Sequence, residues 1–184
     1  MILQPIISTE RLILRNWQGD DIELFIQMNS DIHVMKYFPG VMTREQTLEF
    51  FQRIQHHFDE YAYGLFAVEE KISGDFIGFI GFSHPRFESF FTPCIEIGWR
   101  LKATHWNKGL ATEGALACLN YGFSILNFDK IYSFTSIYNL PSINVMKKIG
   151  LKHTGDFNHP MLNEDSWLFK HILYGISRDE FNFN

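Results

Sequence analysis

The length, composition and charge of the chain exclude several classes of protein. It has 184 residues, of which 46% are hydrophobic and 20% are charged, and its formal net charge is -5. This length is enough for one sizeable hydrophobic core, and the composition is that of a folded globular protein rather than a disordered one. A negative net charge disfavours nucleic-acid binding, which needs a basic surface, and is compatible with an amine-bearing substrate.

The cysteine content and the first residues predict where the protein works. Cys94 and Cys118 are the only cysteines in the sequence, which is too few for a disulfide framework, and their spacing is not that of a metal site. The segment Met1 to Ile7 is apolar but has no basic leader, and no apolar run approaches the length of a bilayer span. We expect a soluble, cytoplasmic protein without a metal, folded as one domain over residues 1–184.

Hydrophobic periodicity predicts the elements in the first half of the chain. Within residues 11–15, Leu12 and Leu14 lie on one face, as in a strand with one side on the core, and residues 20–28 follow as a helix. Thr43-Arg-Glu-Gln46 has capping-box spacing, and the apolar residues after it recur at helical intervals. The stretches 65–68 and 76–82 are apolar on both faces, which is typical of central strands covered by helices.

The segment from Ile95 to Leu101 carries the most informative alternation. Its odd-numbered residues are apolar, whereas Glu96, Gly98 and Arg100 lie on the opposite face of the predicted strand. One face therefore belongs to the core, and the other presents polar groups to a candidate functional site. The same spacing also allows a structural ion pair between Glu96 and Arg100, so that both roles for Glu96 stay open.

The second half of the chain continues with alternating helices and strands. Residues 110–126 form a predicted helix with many small residues, and residues 131–137 form the next strand. A short helix opens at Asn139-Leu-Pro-Ser142 and ends at Gly150, where glycine supplies the left-handed C-terminal conformation. Residues 167–176 read as a closing strand. This order predicts an α/β fold with one mixed sheet and one or two strands after the last helix.

The stretch Trp106-Asn-Lys-Gly-Leu-Ala111 has the features of an anion-binding loop. It places Gly109 and the small residue Ala111 at the start of a helix that follows a buried strand. Backbone N–H groups and the helix dipole attract a phosphate group there, and glycine allows a ligand to approach the backbone closely. Small residues are also needed where a helix packs against a sheet, so this pattern alone does not decide the function.

Four motifs in order resemble the GNAT superfamily of N-acetyltransferases, in its RimJ/RimL-like branch. They are Ser8-Thr-Glu-Arg-Leu-Ile-Leu-Arg15, Glu96-Ile-Gly-Trp99, Lys108-Gly-Leu-Ala-Thr-Glu113, and Asn139-Leu-Pro-Ser142 with Lys148-Ile-Gly-Leu151 after it. The third is similar to the family's acetyl-CoA pyrophosphate signature. The resemblance implies the GNAT fold, a mixed and mostly antiparallel twisted sheet flanked by helices. It also implies a V-shaped cofactor cleft between strands 95–101 and 131–137.

The resemblance further implies how acetyl-CoA binds and reacts. Pantetheine would pair with the backbone of strand 95–101, the thioester would lie near Gly98, and an amine would attack it directly in a ternary complex. The residues then expected to contact the cofactor are Ile97, Gly98, Trp99, Arg100, Trp106, Asn107, Lys108, Gly109, Leu110, Ala111, Thr112, Asn139 and Ser142.

The chemistry of acetyl transfer suggests the catalytic residues. The amine must lose a proton, the oxyanion must be stabilised, and the departing thiolate needs a proton. Glu96 is the expected base, directly or through water, and backbone N–H groups near Gly98 and Trp99 would polarise the carbonyl. Ser142 would relay a proton toward sulfur. Asn139 and Ser142 are also explained as the polar start of a helix.

Three positions depart from the pattern of many GNAT enzymes. Many GNAT enzymes have Gln or Arg at the position of Trp106, a Tyr proton donor at that of Met146, and Phe at that of Leu151. An aromatic residue at 106 is familiar in the RimJ/RimL-like branch and leaves phosphate binding by the backbone intact. Met146 cannot donate a proton, so the acid step passes to Ser142, to water or to no residue.

Two other functions and the identity of the acceptor stay open. Gly109-Leu-Ala-Thr-Glu-Gly114, with Asp129 about 20 residues later, also fits a variant of the pattern of NAD(P)-binding oxidoreductases. A non-catalytic module that binds acyl-CoA is the other alternative. The resemblance implies a protein N-terminal amine or a small-molecule amine as acceptor, with residues 31–38 bordering an aromatic, mildly acidic pocket. We expect a monomer or homodimer with no nucleic-acid or membrane partner.

Overall fold

One eight-stranded sheet organises the protein. In the computed structural model, which describes residues 6–183, the strand order is β1-β2-β3-β4-β5-β6-β8-β7. The strands are β1 (Ile7–Ser8), β2 (Leu12–Arg15), β3 (Leu65–Glu70), β4 (Asp75–Ser83), β5 (Ile95–Leu101), β6 (Lys130–Ser136), β7 (Lys152–Asn158) and β8 (Lys170–Ser177). The helices are α1 (Asp21–Ser30), α2 (Arg44–Tyr61), α3 (Leu110–Ser124) and α4 (Leu140–Lys148). Most of the apolar segment Met1 to Ile7 lies outside the described residues.

The predicted mixed α/β fold is confirmed, and the element boundaries differ by a few residues. Strand β5 has the predicted ends, whereas α3 ends at Ser124 rather than at residue 126. The capping box at the start of α2 is present, because the Thr43 side chain accepts from the Gln46 N–H and the Gln46 side chain accepts from the Thr43 N–H. No helix within residues 6–183 is long and apolar enough to cross a membrane.

Different helices cover the two faces of the sheet. On the first face, α3 and α4 pack against a large apolar cluster that includes Ile97 and Leu101 of β5. On the second face, α1 and α2 contribute to a smaller cluster that includes Phe25, Ile54 and Phe79. The predicted division of β5 into a core face and a polar face is therefore confirmed.

Strands β5 and β6 are the parallel pair in this sheet, and they stay paired over a short distance. Ile95 pairs with Ile131 and Glu96 pairs with Tyr132, after which β6 continues beside β8. In the described part of the chain, β5 beyond Glu96 has no strand partner on this side. Both strands lead at their carboxyl ends toward the start of a helix, α3 or α4. Ligands of sheets with parallel strands bind at such carboxyl ends.

Gly78 of β4 permits the close approach of β5. Its φ is 142°, and a Cβ there would lie 2.1 Å from the carbonyl oxygen of Arg100 and 2.8 Å from the Cα of Leu101. Because both neighbours are backbone atoms, alanine fits only if the two strands separate. We expect Gly78→Ala to lower the free energy of unfolding by roughly 2–3 kcal/mol in urea titrations.

Gly40→Ala is the matched control, because a Cβ at Gly40 has no atom within 4 Å. It should change the free energy of unfolding by less than about 1 kcal/mol. Equal destabilisation by both substitutions would contradict the close approach of β4 and β5.

Candidate active site

The loop between β5 and α3 turns through left-handed backbone conformations and ends at the helix start. Asn107 has φ of 59° and Gly109 has φ of 79°, and Gly109 is the N-cap of α3. Asparagine and glycine tolerate this conformation best. The N–H groups in the first turn of an α-helix have no intrahelical acceptor. The predicted residues 106–112 are thus brought together around free backbone donors, and Leu110 can offer only its backbone because its side chain is 2% exposed.

Glu113, in the first turn of α3, ties this loop to the N-terminal strands. Its Oε1 accepts from the Thr9 hydroxyl at 2.6 Å and from the Arg11 backbone N–H at 2.8 Å, and its Oε2 accepts from Arg11 Nε at 2.6 Å. Arg11 Nη1 also donates to the Lys108 carbonyl at 2.8 Å. Burial acts to raise the pKa of Glu113, but these hydrogen bonds outweigh it and lower the pKa. The opening motif of the sequence therefore holds the loop in place.

Trp106 fixes the other end of the same loop. Its Nε1 donates to the Leu101 carbonyl at 2.8 Å, so the indole joins the loop to the last residue of β5. The side chain keeps 40% of its surface exposed. A Gln or Arg at this position has no rigid ring with which to make this contact. The hydrogen bond to Leu101 therefore explains, in structural terms, an aromatic residue at position 106.

Glu96 lies on the polar face of β5, beside Gly98. Its Oε1 is 4.0 Å from the position that a Cβ on Gly98 would occupy, and its Oε2 accepts a hydrogen bond from Ser83 Oγ at 3.1 Å. Burial raises the pKa of Glu96 to about 7, and the hydrogen bond from Ser83 opposes that rise. A carboxyl group with this pKa can exchange a proton near neutral pH.

Arg100 does not form the ion pair with Glu96 that the spacing allowed, so this structural interpretation of Glu96 is wrong. Arg100 Nη1 instead donates to Asn29 Oδ1 in α1 at 2.7 Å. Its guanidinium also stacks on Phe38, with 4.0 Å between the Cζ atom and the ring centroid. The side chain therefore lies on the second face of the sheet, and the loop at α3 lies at the first.

Asn139 and Ser142 open α4 at the carboxyl end of β6. Asn139 Oδ1 accepts from the Ser142 N–H at 3.3 Å, and Asn139 Nδ2 donates to Thr135 Oγ1 at 2.9 Å. The helix-cap role that the sequence predicts for Asn139 is thus present. Met146 and Leu151 are 1% and 4% exposed within the large apolar cluster. Both therefore fill the core in place of the aromatic residues common in GNAT enzymes.

Comparisons with known proteins identify the family. The family model described as an acetyltransferase (GNAT) domain matches residues 11–152. The chain belongs to the GNAT acetyltransferase family. An uncharacterized N-acetyltransferase of Bacillus subtilis, YnaD, is 33% identical over 177 residues, which are 96% of this chain and 99% of that protein.

Two solved structures agree with this GNAT assignment. A GNAT-family acetyltransferase of Bacillus anthracis has a TM-score of 0.78 and 32% identity, with 94% of this chain and 98% of that chain covered. Mycobacterium smegmatis RimJ in complex with CoA-disulfide has a TM-score of 0.75, with 99% of this chain and 90% of that chain covered. Because the identity is only 18%, this structure supports the fold alone. The protein is an acetyl-CoA-dependent N-acetyltransferase, and the oxidoreductase and non-catalytic alternatives are wrong.

Sequence reasoning misses the surroundings of two residues, Ser83 beside Glu96 and Trp167 near the start of α4. The sequence around Ser83 lacks the second glycine of a nucleophile elbow and so assigns Ser83 no role, yet Ser83 faces Glu96 in the register of β4 with β5. Trp167 falls within the predicted last strand, but in the structure it precedes β8 in the chain. Its ring centroid lies 6.1 Å from that of Tyr37 and 5.8 Å from that of Tyr138. The three rings connect the α1–α2 segment, the β7–β8 segment and the start of α4. Pairing register would have revealed Ser83, but no local pattern reveals Trp167.

Glu113→Gln tests the role of the contacts that hold the loop. Glutamine keeps one acceptor oxygen but presents an amide donor to Arg11, so the loop should lose its fixed geometry. We expect the dissociation constant for acetyl-CoA, measured by calorimetry, to rise about 10-fold, or about 1.4 kcal/mol. Glu49→Gln, on the exposed side of α2, is the control and should leave that constant unaltered. Identical affinities of both variants would remove this role from Glu113.

Proposed function

We propose that this enzyme acetylates a primary amine, on a protein N-terminus or a small molecule, by direct attack in a ternary complex. The position of Glu96 carries the proposal, because its Oε1 lies 4.0 Å from the place that a Cβ on Gly98 would occupy. In this proposal the thioester lies near Gly98, as the resemblance to GNAT enzymes implies. An amine that approaches this point from the second face of the sheet would meet a proton acceptor beside it.

The unpaired side of β5 supports the proposed path of the cofactor. Buried backbone groups need hydrogen-bond partners, and no strand within residues 6–183 pairs with this edge beyond Glu96. In the proposal, Ile97, Gly98, Trp99 and Arg100 bind pantetheine through their backbone. Residues 106–112 bind the pyrophosphate through backbone N–H groups at the start of α3, where the helix dipole favours negative charge.

Proton transfer is assigned to groups on either side of Gly98. Glu96 accepts the proton of the amine, directly or through water, and Ser83 keeps the carboxylate oriented. Backbone N–H groups near Gly98 and Trp99 stabilise negative charge on the acetyl oxygen. Burial raises the pKa of Cys94 to about 12. The thiol therefore stays protonated, which disfavours a covalent route through it.

The acid that protonates the leaving thiolate is proposed to be the Ser142 hydroxyl or a water molecule. Ser142 is half-buried in the first turn of α4, and Asn139 fixes the start of that helix. Met146, at the position of the usual tyrosine, lies in the core and has no proton to give. We also propose one domain over residues 1–184, a cytoplasmic location, and a monomer or homodimer that needs no metal.

A parallel titration with acetyl-CoA, NAD and NADP tests the cofactor site. Wild type and Gly109→Trp are compared by thermal shift and calorimetry. We expect acetyl-CoA alone to bind wild type and Gly109→Trp to lose binding, because a side chain at this left-handed position displaces the loop. It would also crowd Arg11 Nη2, which lies 3.5 Å from the place that a Cβ on Gly109 would occupy. Gly19→Trp is the control, since a Cβ at Gly19 meets nothing within 4 Å. Binding of the dinucleotides alone would refute the site.

The pH dependence of the rate tests Glu96. Because the base must be deprotonated, wild-type kcat/KM should rise as the pH increases through about 7, the pKa to which burial raises Glu96. Glu96→Gln should lower kcat/KM about 100-fold or more and remove that rise. Ser83→Ala removes a hydrogen bond that lowers the pKa of Glu96, so its profile should move to higher pH. A rate rise near pH 7 that persists in Glu96→Gln would assign the base elsewhere.

A further inference from the structure

Arg100 is a half-buried cation without an anionic partner in the described chain. Its Nη1 donates to Asn29 Oδ1 and lies 4.0 Å from Met42 Sδ. Its buried Nε has no hydrogen-bond partner within residues 6–183. No carboxylate oxygen of these residues comes within 4.0 Å of the guanidinium nitrogens. Most of the five N–H donors of this side chain are thus left for another group.

Aromatic rings surround the guanidinium. The Cζ atom lies 4.0 Å from the Phe38 ring centroid, 5.4 Å from that of Phe79 and 5.6 Å from that of Phe50. Rings attract a cation through their faces but accept no strong hydrogen bond. Burial lowers the pKa of Arg100 to about 9, because a desolvated charge without a counter-ion is unfavourable. An anion bound here would offset part of that penalty.

Arg100 lies on the same face of β5 as Gly98, where the acceptor amine is proposed to react. Residues two apart on one strand lie on the same face, about 7 Å from one another. Arg100 therefore follows Gly98 at one such interval, and Glu96 precedes Gly98 at another. Phe38, which covers the guanidinium, belongs to the segment expected to border the acceptor and is 37% exposed. A small molecule with its amine at Gly98 could place a second group at Arg100.

We propose that Arg100 binds a carboxylate of the acceptor, and that the acceptor is a small amine that also carries a carboxylate, such as an amino acid. The inference rests on the proposed function, since it takes acetyl transfer at Gly98 as given. A guanidinium binds a carboxylate through two parallel N–H···O hydrogen bonds, and the stack on Phe38 holds its plane in one orientation. A polyamine would instead bring positive charge toward Arg100, which like-charge repulsion disfavours. This proposal departs from the mildly acidic pocket expected from the sequence, because it places a cation, Arg100, beside the acceptor.

Matched pairs of amines test the proposal. Phenylalanine is compared with phenethylamine, and ornithine with putrescine, because each pair differs only by the carboxylate. After calorimetry has established acetyl-CoA binding, kcat and KM are measured for each amine. We expect the amino acid of a pair to have a kcat/KM about 10- to 100-fold higher, mainly through a lower KM.

Substitutions at Arg100 separate recognition from structural support. Arg100→Met keeps the length of the side chain and should bring the ratio within a pair close to one. Arg100→Lys keeps the charge without the bidentate geometry and should retain part of the preference. Arg53→Met is the control, because Arg53 also stacks on Phe50, at 5.4 Å, but lies exposed on α2. If Arg100 were only structural, Arg100→Met would lower the melting temperature and leave the ratio as in wild type.

The outcomes distinguish this inference from the proposed function. Preference for phenethylamine and putrescine, or a ratio that survives Arg100→Met, overturns the inference while acetyl transfer to amines stands. If acetyl-CoA binds but none of the four amines is acetylated, the CoA-loaded enzyme is titrated with phenylalanine and ornithine. Absence of binding then overturns the inference, and binding that Arg100→Met abolishes supports it. Failure of acetyl-CoA itself to bind would overturn the proposed function.

Discussion

Strands β5 and β6 part after two paired residues, and the arrangement of the site follows from this. A sheet satisfies its backbone groups through neighbouring strands, so an interior edge that is left open needs another partner. Here β4 pairs with β5 as far as Leu101, and β8 pairs with β6 along its whole length. The open edge therefore lies between two strands that are each fixed from the outside. In the proposed binding mode, an extended ligand occupies this edge without disturbing the rest of the sheet.

The groups around this opening divide into rigid backbone and adjustable side chains. At the first face, α3 starts at a glycine in the left-handed conformation, and the contacts of Thr9 and Arg11 with Glu113 fix that start. Arg11 is 45% exposed and Glu113 is 18% exposed. Water therefore screens the charge attraction between Arg11 and Glu113, and the main effect of this pair is to fix the geometry of the loop. At the second face, Glu96 and Arg100 stand apart, and within residues 6–183 each has one side-chain hydrogen bond shorter than 3.5 Å to another element.

Sequence reasoning located most strands and helices and the loop because these depend on local signals, whereas the GNAT fold itself was implied by the resemblance. The alternation in β5, the capping box at Thr43 and the glycine at the start of α3 are all determined by neighbours in the chain. Strand β7 was not located, because KHTGDFN has little apolar alternation and stays largely exposed beside β8. The partners of Glu96 and Arg100 could not be read either. They come from β4 and α1, and only the strand register and the packing of α1 bring them to β5.

The alternation of β5 has a consequence for how such enzymes diversify. Its first-face side chains belong to the core, and its free edge offers backbone atoms that every residue possesses. In the proposed function its second-face side chains point toward the acceptor. In the proposed binding mode, natural selection could thus replace Glu96 or Arg100, and with them the range of accepted amines, without rebuilding the part that recognises the acyl donor. In this strand of seven residues, the backbone edge that binds the acyl donor would stay the same while the side chains on the second face change between enzymes.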